Sequence, residues 1–298
     1  TADSNVAIGQ NALTNTTTGN ENTAVGRQSL QTNTTGALNT AVGHQSLLNN
    51  TTGSSNVGLG HKSLDANTTG STNTAVGRDS LGSNTTADAN TAFGYGSLRD
   101  NTTGSSNTAL GYLALEENTT GGDNTAVGFQ ALEENTTGSD NVAVGYEALG
   151  ANSTNSRNVG IGYHAGLNAT ANDNTFLGFA AAENLTTGSA NIIIGSKSGQ
   201  NLTEGNNNIV MGSEALDADT KGDRNVTIGS QALSAQNFTS STDAYNVAVG
   251  HQVLLSNTTG TKNTAIGGLS LDANTTGATN VALGYNSLSG NTTASNNV

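Results

Sequence analysis

A 17-residue unit repeats along the whole chain and constrains the fold more than any other feature. Each unit opens on Asn and follows N-T-A-V-G-x-x-[SA]-L-x-x-N-T-T-G-x-x, as in NTAVGFQALEENTTGSD (124–140). The opening Asn occurs 18 times between Asn5 and Asn297, and of the 17 intervals 15 span 17 residues, one spans 16 and one spans 21. Residues 1–298 are therefore expected to form a single repeat array, without a second domain.

The length and content of the unit indicate strands rather than helices. Seventeen residues are too few for a paired-helix repeat and do not match a heptad. Most units contain two Gly residues, each of which costs a helix about 1 kcal/mol, whereas short Thr/Val/Ile segments bounded by Gly and Asn are typical of strands and turns. The sequence predicts an all-β parallel β-solenoid, or β-roll, with one repeat per coil and about 17 coils. The coils would stack about 4.8 Å apart, in a side-by-side oligomer or an end-to-end fibre.

Composition narrows the classes of partner. Aromatic residues make up 4% and charged residues 10% of the chain, so the core is expected to be thin. The net charge of -13 argues against nucleic acid and anionic lipid as partners. No apolar run approaches the roughly 20 residues of a membrane-spanning helix, so this segment is not expected to insert into a membrane.

Alternation along the strand suggests which side chains form the core. Thr125 and Val127 should share one face and Ala126 and Gly128 the other. We expect Val127 and its equivalents to face the interior, together with a Leu such as Leu132 from a second strand. Ala and Gly would then leave a nearly bare backbone on the opposite face. Gly in all 17 coils indicates a positive φ, a simple tight turn, or close approach by another segment such as a neighbouring chain.

Asparagine suggests two further roles. The opening Asn residues are expected to stack and to hydrogen-bond along the array. A second Asn belongs to an N-x-T turn motif that persists in 16 of 17 coils while its middle residue changes. This pattern is that of an N-glycosylation acceptor on an exposed turn, and a hydrogen-bonded Asn/Thr bend is the alternative. The glycosylation candidates are Asn15, Asn33, Asn50, Asn67, Asn84, Asn101, Asn118, Asn135, Asn152, Asn168, Asn184, Asn201, Asn237, Asn257, Asn274 and Asn291.

Aromatic residues follow the strand Gly in six consecutive coils. This stripe either stacks on sugar rings of a ligand or stacks only on itself, and self-stacking is the favoured interpretation. The stripe comprises Tyr95, Tyr112, Phe129, Tyr146, Tyr163 and Phe179.

Other clusters give little indication of chemistry. His44, His61 and His251 are too scattered for a metal site, and Glu116 with its acidic neighbours Glu117, Glu133 and Glu134 suggests solvated surface rather than a Ca²⁺ site. No nucleophile, base and acid stand apart from the repeat. The chain is therefore not expected to be an enzyme, and we expect no catalytic site, no metal site and no cofactor.

The repeats resemble a known family of surface proteins. NVAIGQNAL (5–13), NTAVGRQSL (22–30) and NVAVGYEAL (141–149) look like the YadA-like head repeats of trimeric autotransporter adhesins, and similar NTAVG…NTTG arrays occur in phage tail fibres. The resemblance implies a left-handed parallel β-roll with three chains side by side. It also implies display outside a cell or virion, as a spacer or an adhesive surface.

Together these features predict a structural component of an extracellular or surface-displayed fibre. It would act as a rigid shaft or adhesive surface, carry covalent glycans on the N-x-T turns, and assemble with copies of itself as a trimer or a head-to-tail polymer. We expect the chain to be part of a longer fibre. The alternatives are a carbohydrate-binding adhesin, a phage tail-fibre segment and an ice-binding solenoid. The ice-binding alternative would use a row of Thr residues at the first position of the strand, which alternation predicts to face inward. The row consists of Thr23, Thr40, Thr74, Thr91, Thr108 and Thr125.

Overall fold

Each coil contributes one three-residue strand, and the strands pair in parallel with equivalent residues side by side. The computed structural model describes residues 2–298, which form the predicted all-β parallel β-solenoid of about 17 coils and contain no helix. Two compact units are present, one running to Glu147 and including Ser153–Asn155, the other comprising Ala148–Asn152 and Ser156–Val298.

The first unit contains nine strands in one parallel sheet, paired in the order of the chain. Thr108–Leu110 illustrates the common register, because Thr108, Ala109 and Leu110 lie beside Thr125, Ala126 and Val127 of the following coil. The strands are β1 (Val6–Ile8), β2 (Thr23–Val25), β3 (Thr40–Val42), β4 (Val57–Leu59), β5 (Thr74–Val76), β6 (Thr91–Phe93), β7 (Thr108–Leu110), β8 (Thr125–Val127) and β9 (Val142–Val144).

The second unit continues the pattern and adds a short strand pair. The parallel pair β14–β16 accompanies the 21-residue coil, whose extra residues lie before Asn246. The strands are β10 (Val159–Ile161), β11 (Thr175–Leu177), β12 (Ile192–Ile194), β13 (Ile209–Met211), β14 (Gly222–Asp223), β15 (Val226–Ile228), β16 (Thr242–Asp243), β17 (Val247–Val249), β18 (Thr264–Ile266) and β19 (Val281–Leu283).

The Gly that follows each three-residue strand has a positive φ, and every one of them except Gly284 in the last coil also has a close neighbour. Gly111 has φ 146°, and a Cβ added there would collide with the carbonyl oxygen of Gly128 in the next coil. The close neighbour is therefore the same chain one coil later. No larger residue fits, because both the backbone conformation and the coil spacing exclude a side chain.

The buried Leu residues lie in turns, and the prediction of a second strand is wrong. Leu30 has φ 47°, in the left-handed region that L-residues rarely occupy. This conformation lets alternate N–H groups reach opposite neighbours: Gln28 N–H donates to the preceding coil at Gln10 O, and Leu30 N–H to the following coil at Ser46 O. Coil-to-coil hydrogen bonds thus compensate for the unfavourable φ.

The predicted inward face of the strand is also wrong. Ala126 is fully buried, while Thr125 and Val127 on either side of it are partly exposed. The same holds for the other Val and Ile residues that had been expected to face inward, namely Val25, Val42, Val76, Ile194 and Ile266. Leu132 fills the interior from the turn segment. Little room then remains opposite it, so the strand contributes only its smallest side chain to the core.

In the second unit one core position that usually holds Leu holds Gly, and one that usually holds Ala holds Phe. Gly166 occupies the position that Leu149 holds in its own coil, and Phe176 replaces the Ala of the strand. A Cβ added to Gly166 would collide with the Phe176 ring, so the ring occupies the space that a Leu side chain fills elsewhere. Large and small residues have changed places while the core has stayed filled.

Candidate functional site

The most extensive exposed feature is the outward side of each parallel sheet. We call it the outer sheet face and define it as the first and third residues of every strand in the 17-residue repeat. The third residue is apolar in every coil, and representative exposed fractions are 48% for Leu110, 45% for Phe93 and 38% for Met211. The third-residue column consists of Ile8, Val25, Val42, Leu59, Val76, Phe93, Leu110, Val127 and Val144 in the first unit, and of Ile161, Leu177, Ile194, Met211, Ile228, Val249, Ile266 and Leu283 in the second.

The first residue of each strand is Thr, Val or Ile and also points outward. The prediction that the Thr row faces inward is wrong, since Thr91 and Thr108 are exposed and the Ala beside each of them is buried. Four consecutive coils place Thr74, Thr91, Thr108 and Thr125 in one column with paired register. Elsewhere Val or Ile interrupts the Thr column, as at Val57, Val142 and Ile192.

The predicted aromatic stripe is exposed, and its rings stack on one another. In the first unit Tyr95, Tyr112, Phe129 and Tyr146 have successive ring centroids 5.1–5.3 Å apart and ring planes within 12° of parallel. In the second unit Tyr163 and Phe179 stack at 5.2 Å, with exposed fractions of 43% and 51%.

This stacking limits what the stripe can bind. A sugar ring inserted between two aromatic rings would need their planes about 7 Å apart, twice an ordinary contact distance. The spacing of 5.1–5.3 Å between centroids is shorter, so neighbouring rings cover each other's faces. Binding of a ligand to the stripe stays a prediction.

The opening Asn of each repeat forms a buried ladder of hydrogen bonds, as predicted. Asn90 is fully buried, its backbone N–H donates to Asn73 Oδ1 at 3.0 Å, and its Nδ2 donates to Gly104 O at 2.9 Å. Asn107 N–H in turn donates to Asn90 Oδ1 at 2.9 Å. Asn90 thereby joins its coil to both neighbours, to the preceding coil through its backbone N–H and to the following coil through its side-chain Oδ1.

The Asn of the N-T-T turn forms a second buried ladder. Asn118 Nδ2 donates to Asn101 Oδ1 at 2.7 Å and to Gly121 O at 2.9 Å, while Asn118 Oδ1 accepts from Asn135 Nδ2 at 2.8 Å. We call the place that Asn118 occupies in its coil the inner turn position, and the place of Glu117 before it the outer turn position. The glycosylation candidates that occupy the inner position and are fully buried are Asn33, Asn50, Asn67, Asn84, Asn101, Asn118, Asn135, Asn152, Asn257 and Asn274. Asn291 continues this ladder from Asn274 and is half-buried.

The remaining candidates lie elsewhere in the turn. When the middle residue of N-x-T is apolar, that residue takes the inner position: Ala169, Leu185 and Leu202 are fully buried there. The Asn before each of them is displaced to the outer turn position, and Asn237 precedes the buried Phe238 in the insert. Asn15 is displaced in the same way, because Thr16 takes the inner position of the first coil, so the candidates at the outer turn position are Asn15, Asn168, Asn184 and Asn201. In the insert Gln236 takes the inner position, and Asn237 follows it and is exposed.

Two N-x-T motifs were missed by following the N-T-T turn alone. Asn49 begins the overlapping motif Asn49-Asn50-Thr51 and is exposed at the outer turn position, whereas Asn225 begins Asn225-Val226-Thr227 and is fully buried. A search of the sequence for every N-x-T triplet would have found both.

Ionisable groups cluster only modestly. Glu116 is nearly buried and forms an ion pair with Arg99, and its burial raises the pKa of the carboxyl despite the attraction of Arg99. Asp219 replaces Asn at one inner turn position and accepts a 2.7 Å hydrogen bond from Gln236 Nε2; burial raises its pKa. Within residues 2–298 no group of three His, Cys, Asp or Glu residues is arranged to hold a metal ion.

No helix within the described part of the chain, residues 2–298, is long and apolar enough to cross a bilayer. Comparison with protein-family models and with curated proteins found no match to this chain.

Proposed function

We propose that the chain is a structural shaft segment of an extracellular, surface-displayed fibre, in which copies associate side by side through the outer sheet face. The observation that carries the proposal is the third-residue column of that face, which presents one apolar side chain in every coil. Contiguous apolar surface of this kind is typical of protein–protein contacts rather than of a solvated surface.

A second copy of the chain fits this column better than an unrelated globular protein. Neighbouring side chains of the column are separated by the strand spacing of about 4.8 Å, and only a surface with the same repeat can match it coil after coil. An identical solenoid has that repeat by construction. The resemblance to trimeric head repeats leads us to expect three copies.

The shaft role is supported by how the coils are joined within each unit. Backbone pairing, the Gly contact and the two Asn ladders recur in the same register, so bending would disturb several hydrogen bonds per coil. Such a segment suits a rigid spacer, and its length would scale with the number of repeats.

The test is the mass of the native assembly relative to the 29.7 kDa chain. Light scattering on the full chain should give a multiple of that mass. A triple variant, Leu59→Lys, Leu110→Lys and Val144→Lys, should be monomeric yet folded, because these side chains already point outward.

The matched control places the same three charges on exposed turn residues, as Thr103→Lys, Thr120→Lys and Thr137→Lys, and should leave the assembly intact. A monomeric wild-type chain, or a face variant that assembles like the wild type, would contradict the proposal.

Ice binding is a second candidate, favoured by the outward Thr column. Thr74, Thr91, Thr108 and Thr125 present a hydroxyl and a methyl group at every coil, next to the apolar third-residue column. A flat lattice of ordered water is the ligand that such a regular array suits. Thermal hysteresis in the purified chain, reduced by Thr91→Tyr with Thr108→Tyr, would support this function, and its absence would rule it out.

A further inference from the structure

We propose that N-linked glycans attach to this chain only at N-x-T asparagines that lie outside the two buried Asn ladders. Asn49 is the principal acceptor, followed by Asn237 in the insert and by the outer-position residues Asn15, Asn168, Asn184 and Asn201. This inference rests on the proposed function, because it requires that the chain be exported through a compartment that holds the glycan transferase. It deepens that proposal by naming the modified residues.

The inner position has no room for a sugar and no spare hydrogen. Asn118 is fully buried and both N–H groups of its Nδ2 are engaged, one with Asn101 Oδ1 and one with Gly121 O. A glycan replaces one of these hydrogens with a bond to carbon. It would break one ladder hydrogen bond and force a sugar between two coils.

The outer turn position offers both space for a sugar and an amide hydrogen that can be replaced. Asn49 is exposed, and its Nδ2 donates to Asp65 O at 2.9 Å, which uses one of the two N–H groups. The other can take part in the transfer. In that reaction the amide nitrogen loses a proton and bonds to C1 of the sugar, while the bond from C1 to a lipid-linked diphosphate breaks and the diphosphate leaves with the electron pair. The donor is a lipid-linked oligosaccharide, supplied with its membrane transferase by the secretory pathway.

Crowding separates the outer asparagines into two groups. Asn168, Asn184 and Asn201 occupy successive coils about 4.8 Å apart, and Asn184 Nδ2 lies 3.4 Å from Asn201 Oδ1. Two large glycans cannot fit at that spacing, so neighbours in this group compete. Asn49 has Thr32 and Ala66 at the same position in the adjacent coils and faces no such competition.

The overlapping motifs at Asn49-Asn50-Thr51-Thr52 provide the sharpest test, since two adjacent acceptors point in opposite directions. The full chain would be secreted from cells that carry the transferase, and its glycans would be removed enzymatically in heavy-oxygen water. That step converts each formerly glycosylated Asn into labelled Asp. The tryptic peptide 28–62 contains Asn33, Asn49 and Asn50, so one fragment spectrum compares all three. We expect label at Asn49 and none at Asn33 or Asn50.

Two single substitutions form a matched pair. Thr51→Ala removes the motif of Asn49 and keeps that of Asn50, whereas Thr52→Ala does the reverse. We expect Thr51→Ala to lose the glycan of this peptide completely and Thr52→Ala to retain it. Label at Asn33 or Asn50 in the folded wild-type protein would overturn the inference. So would the absence of label throughout the secreted chain, an outcome that leaves the mass of the side-by-side assembly as the separate test of the shaft.

Discussion

Asn118 donates a 2.7 Å hydrogen bond from its Nδ2 to Oδ1 of Asn101, the equivalent residue one coil earlier. Because Asn135 repeats this bond to Asn118, each buried amide both gives and receives. The ladder satisfies polar groups that lie beyond the reach of solvent, and so converts a buried polar row into a source of stability.

Replacing Asn118 with Ala should destabilise the chain by about 2–4 kcal/mol, because it leaves Asn101 Oδ1 and Asn135 Nδ2 buried and without this partner. Denaturant unfolding followed by circular dichroism would measure the loss. The control is Asn49→Ala at the exposed outer turn position, where we expect less than about 1 kcal/mol. Equal losses of unfolding free energy in the two variants would show that the buried ladder stabilises the chain no more than an exposed Asn does.

Replacing Gly111 with Ala should cost about 3 kcal/mol or more, since the added Cβ meets the carbonyl of Gly128 and the backbone has φ 146°. Gly268 offers a matched position: its φ is not positive, and an added Cβ would have no neighbour closer than 3.7 Å. Gly268→Ala should therefore leave the thermal midpoint nearly unchanged. A tolerated Gly111→Ala would mean that the coils can separate at little cost.

The exchange of core residues in the second unit predicts a coupled pair. Phe176→Ala alone should cost about 3–5 kcal/mol through the cavity it leaves. Gly166→Leu alone should also destabilise, because the new side chain collides with the Phe176 ring.

The double variant places Leu at position 166 and Ala at position 176, the residues that most coils carry at these two positions. It should recover at least about 1 kcal/mol relative to the sum of the single losses. The backbone permits it, since Leu149 already adopts φ 52° at the equivalent position and Gly166 has φ 62°. Purely additive losses in a double-mutant cycle would contradict this account of the core.

Glu183 should make the second unit sensitive to acid. Burial alone would raise the pKa of this carboxyl, but hydrogen bonds with Gln200 Nε2 and His164 Nδ1, together with charge attraction, outweigh burial and lower it below 4.5. The folded-state pKa is depressed, so the contribution to stability is complete above pH 4.5 and is lost as the pH falls through the folded value.

The measurement is the free energy of unfolding as a function of pH for the wild type and Glu183→Gln. The variant should lose stability at neutral pH and show a shallower decline on acidification. Glu134→Gln, at an exposed position, should follow the wild-type curve. A Glu183→Gln curve parallel to that of the wild type would remove Glu183 from the acid response.

The period determined the fold class because 17 residues with two Gly residues permit few structures other than a stacked coil of short strands. The opening Asn ladder and the Gly contact were also predictable, since a residue that recurs at one place in every coil must meet itself in the next. These conclusions depend only on spacing and on the chemistry of one residue type.

Only the tertiary structure decided which way the side chains point. Alternation in Thr125-Ala126-Val127 is the same for either orientation, and apolarity favoured Val inside. In this coil Leu132 from the turn occupies that space and leaves room only for Ala126. The N-x-T motif carried the same ambiguity. Asn50 and Asn49 share one sequence signature, yet a shift of one residue reverses the side-chain direction, so the first lies buried in a ladder and the second faces solvent.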